Sequence, residues 1–170
     1  MKKIMMTWLC IVAMIQAVNI GDTLPQVTLE KENGGTSNDK PWHATSLRGK
    51  VHVVLYMDPD ERKGTQPLLD ALNQLDVDPK AYSTVAIVNL SATWMPDYIL
   101  ESILSKKQKE LKNTSFVFDK EKMLVKKWQM IDDESNILIV DKSLKVIYRK
   151  IGKISSKEIE KIIALIHQNI

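Results

Sequence analysis

Two acidic runs hold the side chains best equipped for chemistry: Asp58, Asp60 and Glu61 in the stretch Asp58–Gly64, and Asp132-Asp133-Glu134 further on. Carboxylates at this density serve as acid/base groups, or as all-oxygen ligands for a hard cation such as calcium or magnesium. Bringing several together without a counter-ion is unfavourable, and a bound cation would relieve the repulsion. The competing reading is plain solvation, because Arg62 and Lys63 stand in the first run and exposed carboxylates repel weakly in water. Other chemistries find less material. His43, His52 and His167 are scattered, whereas zinc needs three or four convergent nitrogen or sulfur ligands. There is no strained glycine–x–serine–x–glycine elbow, and Gly34-Gly35 alone marks a loop rather than a phosphate cradle.

Cys10 is the only cysteine, and it sits inside an apolar run. Lys2 and Lys3 precede about 14 residues, Ile4 to Ala17, that carry no acidic side chain. A run of this length suits a signal-peptide core and falls short of the roughly 18 to 20 residues of a spanning helix. Residues 1–17 are therefore expected to be a signal peptide cut after Ala17, leaving a domain of residues 18–170. Lipidation at Cys10 is disfavoured, since bulky Trp8 and Leu9 precede it where small residues are wanted. Loss of the leader would leave a cysteine-free domain in an oxidising compartment.

The elements that must position these groups follow from periodicity. A short strand is expected near Gln26–Glu30, then a polar, glycine-bearing loop from Lys31 to Lys40. Val51–Met57 is a near-continuous apolar run rich in β-branched residues and reads as a central strand buried on both faces. Thr65 is placed to cap a helix running to about Asp76, with Leu68, Leu72 and Leu75 on one stripe. A second buried strand covers Ser83–Leu90. A helix from Pro96 to Leu111 follows, with Ile99, Leu100, Ile103 and Leu104 on its apolar face. Thr114–Phe118 is a strand, Lys120–Trp128 a short helix, and Asn136–Val140 with Lys145–Arg149 a hairpin. Ser155 and Glu158 form a capping box ahead of a final helix striped by Ile159, Ile162, Ile163 and Ile166. Alternating strands and helices that close on a hairpin describe an α/β three-layer sandwich with a mixed central sheet.

Within this pattern Leu47-Arg48-Gly49-Lys50, leading into the Val51 strand, resembles the opening of thioredoxin-superfamily domains of peroxiredoxin and envelope-reductase style. The turn Gly21–Pro25 and the strand–Asp141–turn–strand–helix close are similar to theirs too. More narrowly, Phe116-Val117-Phe118-Asp119, Lys127-Trp128-Gln129-Met130, Asp132-Asp133-Glu134-Ser135 and Ile139-Val140-Asp141-Lys142 resemble the YtfJ family of small exported proteins. The resemblance implies a thioredoxin-like fold with flanking helices and a periplasmic location. Catalytic relatives carry a nucleophilic cysteine between the first buried strand and the next helix, and a proline just before the hairpin. Here Asp58–Thr65 holds no cysteine and Asp132–Asn136 no proline, so thiol–disulfide and thiol-peroxidase chemistry are excluded from this site.

At 170 residues and 19.4 kDa the chain suits one domain, and a formal charge of +3 does not announce nucleic-acid binding. Charge is uneven: residues 18–100 carry 7 Lys and Arg against 11 Asp and Glu, and residues 101–170 carry 15 against 10. Basic residues there could meet an anionic membrane weakly, though solvated helix faces explain them as well. His52 is expected to be a hydrogen-bonded residue of the sheet rather than a ligand or base. Trp128 is expected in the core, and Trp42 and Trp94 as packing residues rather than partner contacts. The first functional expectation is a non-catalytic, cofactor-free thioredoxin-like binding or accessory module of the periplasm, holding another envelope protein or a small ligand. The alternative is a cysteine-independent enzyme, with or without the assistance of a divalent cation, with Asp58, Asp60 and Glu61 as acid/base groups. A membrane-apposed structural role is a third expectation.

Overall fold

Seven consecutive buried residues, Val51–Met57, form the axis of the molecule. The computed structural model describes residues 17–170, so Cys10 and all but the last residue of the expected leader lie outside the described residues. In chain order the strands are β1 (Thr28–Leu29), β2 (Gly34–Thr36), β3 (Trp42–His43), β4 (Val51–Met57), β5 (Tyr82–Asn89), β6 (Thr114–Asp119), β7 (Asn136–Val140) and β8 (Val146–Ile151). The helices are α1 (Gln66–Asn73), α2 (Asp97–Gln108), α3 (Met123–Trp128) and α4 (Ser156–Asn169). Six strands make one mixed sheet in the order β2-β6-β5-β4-β7-β8, and β1 pairs with β3 in a small ribbon. Strands β4, β5 and β6 run parallel, while β2, β7 and β8 are each antiparallel to the preceding neighbour on their side.

Side-chain alternation along β4 divides the core, because successive Cβ atoms leave opposite faces of a strand. Val54 and Tyr56 face a layer built from α3, the β1–β3 ribbon and the N-terminal segment, with Leu24, Trp42, Leu124 and Trp128 among its members. Val51, Val53, Leu55 and Met57 face α1, α2 and α4 through Leu68, Leu72, Leu100, Ile162 and Ile166. The result is the expected thioredoxin-like, three-layer α/β architecture. Trp128 is fully buried, meets Trp42 edge-on with centroids 6.3 Å apart, and donates from Nε1 to Pro25 O at 2.8 Å. That bond ties the Gly21–Pro25 turn to α3. The α4 capping box forms as read, with Ser155 Oγ accepting the Glu158 amide and Glu158 Oε2 accepting the Ser155 amide.

Several local readings need correction. The polar stretch Lys31–Lys40 is not all loop, since Gly34–Thr36 joins the sheet as an edge strand against β6. Its glycines make that approach feasible. A Cβ at Gly34 would stand 1.9 Å from Phe118 O, and both Gly34 and Gly35 have positive φ. Thr65 precedes α1 without a side-chain cap and instead donates to Met57 Sδ at 3.7 Å. The apolar face of α2 is only partly covered: Leu100 is buried, but Ile99 is 38% and Ile103 47% exposed. His43 lies on β3, where Nδ1 pairs with Thr28 Oγ1 at 2.9 Å. No helix among the described residues is long and apolar enough to cross a membrane.

Candidate functional site

The chain crosses the sheet from β4 to β5 to β6, then returns to place β7 on the other side of β4. Where strand order reverses in this way, the crevice beyond the carboxyl ends of the parallel strands is the usual binding place of α/β sheets. Here the two acidic loops frame it. Asp58 follows the last residue of β4, and Asp132–Ser135 precedes β7, whose Asn136 is in register with Tyr56. With no proline in this second loop, its shape is set by Asn136. The side-chain amide donates to Ile131 O at 2.8 Å and Glu134 O at 3.0 Å, while Oδ1 accepts the Ile131 amide at 2.9 Å. Asp133 occupies the left-handed region, with φ 58°.

The predicted acidic residues separate into distinct roles. Asp58 is 5% exposed and its Oδ1 accepts the Asp60 amide at 2.8 Å. Burial raises its pKa above the usual carboxylate value, and the nearby charges of Asp60, Asp133 and Glu61 push the same way. Asp60 is exposed and accepts Thr93 Oγ1 at 3.1 Å, and Glu61 is exposed. Asp132 has both oxygens engaged, one by Asn89 Nδ2 at 3.1 Å and the other by Lys122 Nζ at 2.6 Å. That hydrogen bond raises the Lys122 pKa. Asp133 and Glu134 are exposed. The loops are thus neighbours, yet among the described residues no three His, Cys, Asp or Glu side chains converge as a metal site would need.

Beneath the loops lies a polar cluster that sequence reasoning missed. Tyr56 is 1% exposed and donates to Asp119 Oδ2 at 3.3 Å, and its phenol pKa is pushed upward by burial and then by Asp119. Asp119 is fully buried and accepts the amides of Met123 and Leu124 at 2.8 and 2.9 Å, which caps the start of α3. Its role is structural. Asn89 ends β5, and its Oδ1 is buried without a partner. A polar residue closing the apolar run of β5 was the only available signal.

Sequence reasoning also missed a groove of about 280 Å³ between α1 and α2. Its floor is Met57, Val88 and Phe116 from β4, β5 and β6, and its walls include Leu69, Leu100 and Leu104. Polar groups line its mouth: Asp58, Asp60, Gln66, Thr93 and Lys107. Lys107 Nζ donates to Gln66 Oε1 at 3.3 Å across the two helices. Beside the groove Trp94 is 87% and Tyr98 72% exposed, so Trp94 does not pack as expected. His52 does behave as expected. It is 3% exposed on β4, pairs through Nδ1 with Lys50 O at 3.1 Å, and burial lowers its pKa to about 4.

A family described as "Bacterial protein of unknown function (YtfJ_HI0045)" matches residues 12–169. The chain belongs to this family. Among similar proteins, one from Haemophilus influenzae is 26% identical over 131 residues, covering 75% of this chain and 71% of that one. YtfJ of Escherichia coli K12 is 24% identical over 134 residues, covering 76% and 72%. Solved structures bear out the fold. A DsbE-type thiol:disulfide interchange protein of Chlorobium tepidum superposes with TM-score 0.64 at 12% identity, covering 90% of this chain and 99% of that one. The exposed lipoprotein thioredoxin Etrx1 of Streptococcus pneumoniae gives 0.57 at 14% identity, covering 85% and 99%. A peroxiredoxin-like protein of Aquifex aeolicus gives 0.61 at 12% identity, covering 88% and 89%. This YtfJ-family chain departs from thiol chemistry where β4 meets α1, because residues 58–65 contain no cysteine.

Proposed function

We propose that this YtfJ-family protein is exported to the bacterial periplasm and works there as a non-catalytic binding module, holding an apolar molecule in the groove between α1 and α2. The groove carries this reading: about 280 Å³ of largely apolar space opens at the carboxyl end of the sheet, at the loop from which the redox cysteine is missing. Buried apolar pockets with a few polar groups at the mouth are the common form of small-molecule sites. A cavity of about 150 Å³ already holds benzene, so this one admits a chain of roughly eight carbons. Export is supported by the Lys2-Lys3 start and the apolar run that follows. A further support is the likeness of fold to a lipoprotein thioredoxin described as exposed.

The test is titration with an uncharged environment-sensitive dye, N-phenyl-1-naphthylamine. Fluorescence should rise and saturate at one site. Ile103→Glu, which puts a charge on the groove wall at a half-exposed position, should weaken binding about tenfold or more. Unchanged dye affinity in a folded Ile103→Glu protein, or no saturable binding by the unaltered protein, refutes the reading.

A further inference from the structure

The groove is not uniformly apolar, and the buried carboxylate at its mouth has spare bonding capacity. Asp58 is 95% removed from solvent as a residue, yet it lines the groove. Oδ1 is taken by the Asp60 amide at 2.8 Å, and among the described residues no donor reaches Oδ2. Among the described residues, Asp60 and Glu61 from its own loop and Asp133 from the facing loop are the charges that raise the Asp58 pKa. Lys122 also faces Asp58, but its ammonium is committed to Asp132 at 2.6 Å. On α2, Lys107 lines the same groove and is engaged by Gln66.

A carboxylate held against apolar walls and beside other carboxylates gains most from a donor that also carries positive charge. Charge-assisted N⁺–H···O⁻ bonds are roughly twice as strong as neutral ones, and the attraction grows as water is excluded. A hydroxyl would supply the hydrogen bond without the charge. A ligand carboxylate would add to the repulsion at Asp58 and would have to turn to Lys107 instead.

We propose that the groove selects a protonated amine on an apolar body, with the ammonium donating to Asp58 Oδ2 and the hydrocarbon lying over Met57, Val88 and Phe116. This inference rests on the groove being a binding site at all, and the experiment separates the two claims. Calorimetric titrations of the purified protein with n-octylamine, 1-octanol and octanoate, below micellar concentrations, at pH 7 and fixed ionic strength, vary only the head group. Octylamine should bind about tenfold or more tightly than octanol, with octanoate weakest. Asp58→Asn should remove the difference between amine and alcohol. Equal binding of octylamine and octanol overturns the head-group assignment and leaves the groove. Tightest binding of octanoate overturns it in favour of Lys107. An amine preference that survives in Asp58→Asn overturns it as well. If none of the three binds, the groove reading itself falls and the inference falls with it.

Discussion

Acidification from pH 7 to 4 should cost the fold about 3 kcal/mol through His52. The imidazole is 3% exposed in the middle of the sheet, and burial lowers its pKa from 6.5 to about 4. In the unfolded chain it takes up a proton near 6.5, while in the folded chain it resists until about 4. The unfolded state therefore binds more protons throughout that interval. Stability from this residue is complete above 6.5, falls as the pH drops, and is fully lost below about 4. A displacement from 6.5 to about 4 at about 1.4 kcal/mol per pH unit is worth about 3 to 4 kcal/mol when complete, and about 3 kcal/mol of it is lost by pH 4, where the folded imidazole is half protonated. The neutral ring also has a directional role, since Nδ1–H donates to Lys50 O at 3.1 Å and so leaves Nε2 unprotonated. Urea unfolding at half-unit steps from pH 7.5 to 4, on the unaltered protein and on His52→Gln, measures the slope directly. The unaltered protein should lose stability more steeply than the variant between 6.5 and 4. The curves should converge toward parallel above 7. Parallel curves across the whole range would refute the claim that His52 is held neutral by burial.

Four further outcomes follow from particular residues. Gly34→Ala should destabilise by roughly 2 to 4 kcal/mol, lowering Tm by about 2 to 4 °C per kcal/mol, because the new Cβ meets Phe118 O at 1.9 Å and φ is 121°; a thermal melt checks it. Asp58→Asn should raise Tm at pH 7, since burial holds this carboxyl above its usual 3.8. Such a group favours folding below 3.8 and loses that contribution as the pH rises through its folded pKa, so the gain should vanish in acid melts. Protein recovered from osmotic-shock fluid of a bacterial host should have an intact mass beginning at or near Val18, and a full-length chain in the membrane pellet would contradict export. In insulin-reduction and peroxide assays the same protein should match a buffer blank, because a thiolate is the nucleophile in both and residues 18–170 contain none.

Local residue pattern was enough to define the buried strand Val51–Met57, the amphipathic stripe of α4 with its Ser155–Glu158 box, and the lack of a thiol after β4. These are local properties, because side-chain direction repeats every two residues in a strand and every 3.6 in a helix. Asn136 was legible only as the first residue of a strand, and its grip on the 131–135 loop depended on the chain folding back on it. The β2 strand was hidden because three polar, glycine-rich residues carry no period. It exists because β6 offers an open edge and glycine lets the backbones close. The α2 stripe was legible too, but not its fate. Four apolar residues at helical spacing say that one face seeks cover, and only the packing of α1 against α2 decides how much cover there is. The tertiary structure seats Leu100, leaves Ile103 on the wall of a groove, and sets Asp58 at its mouth. A cleft is a shortfall in contact between elements far apart in the chain, and no single segment records it.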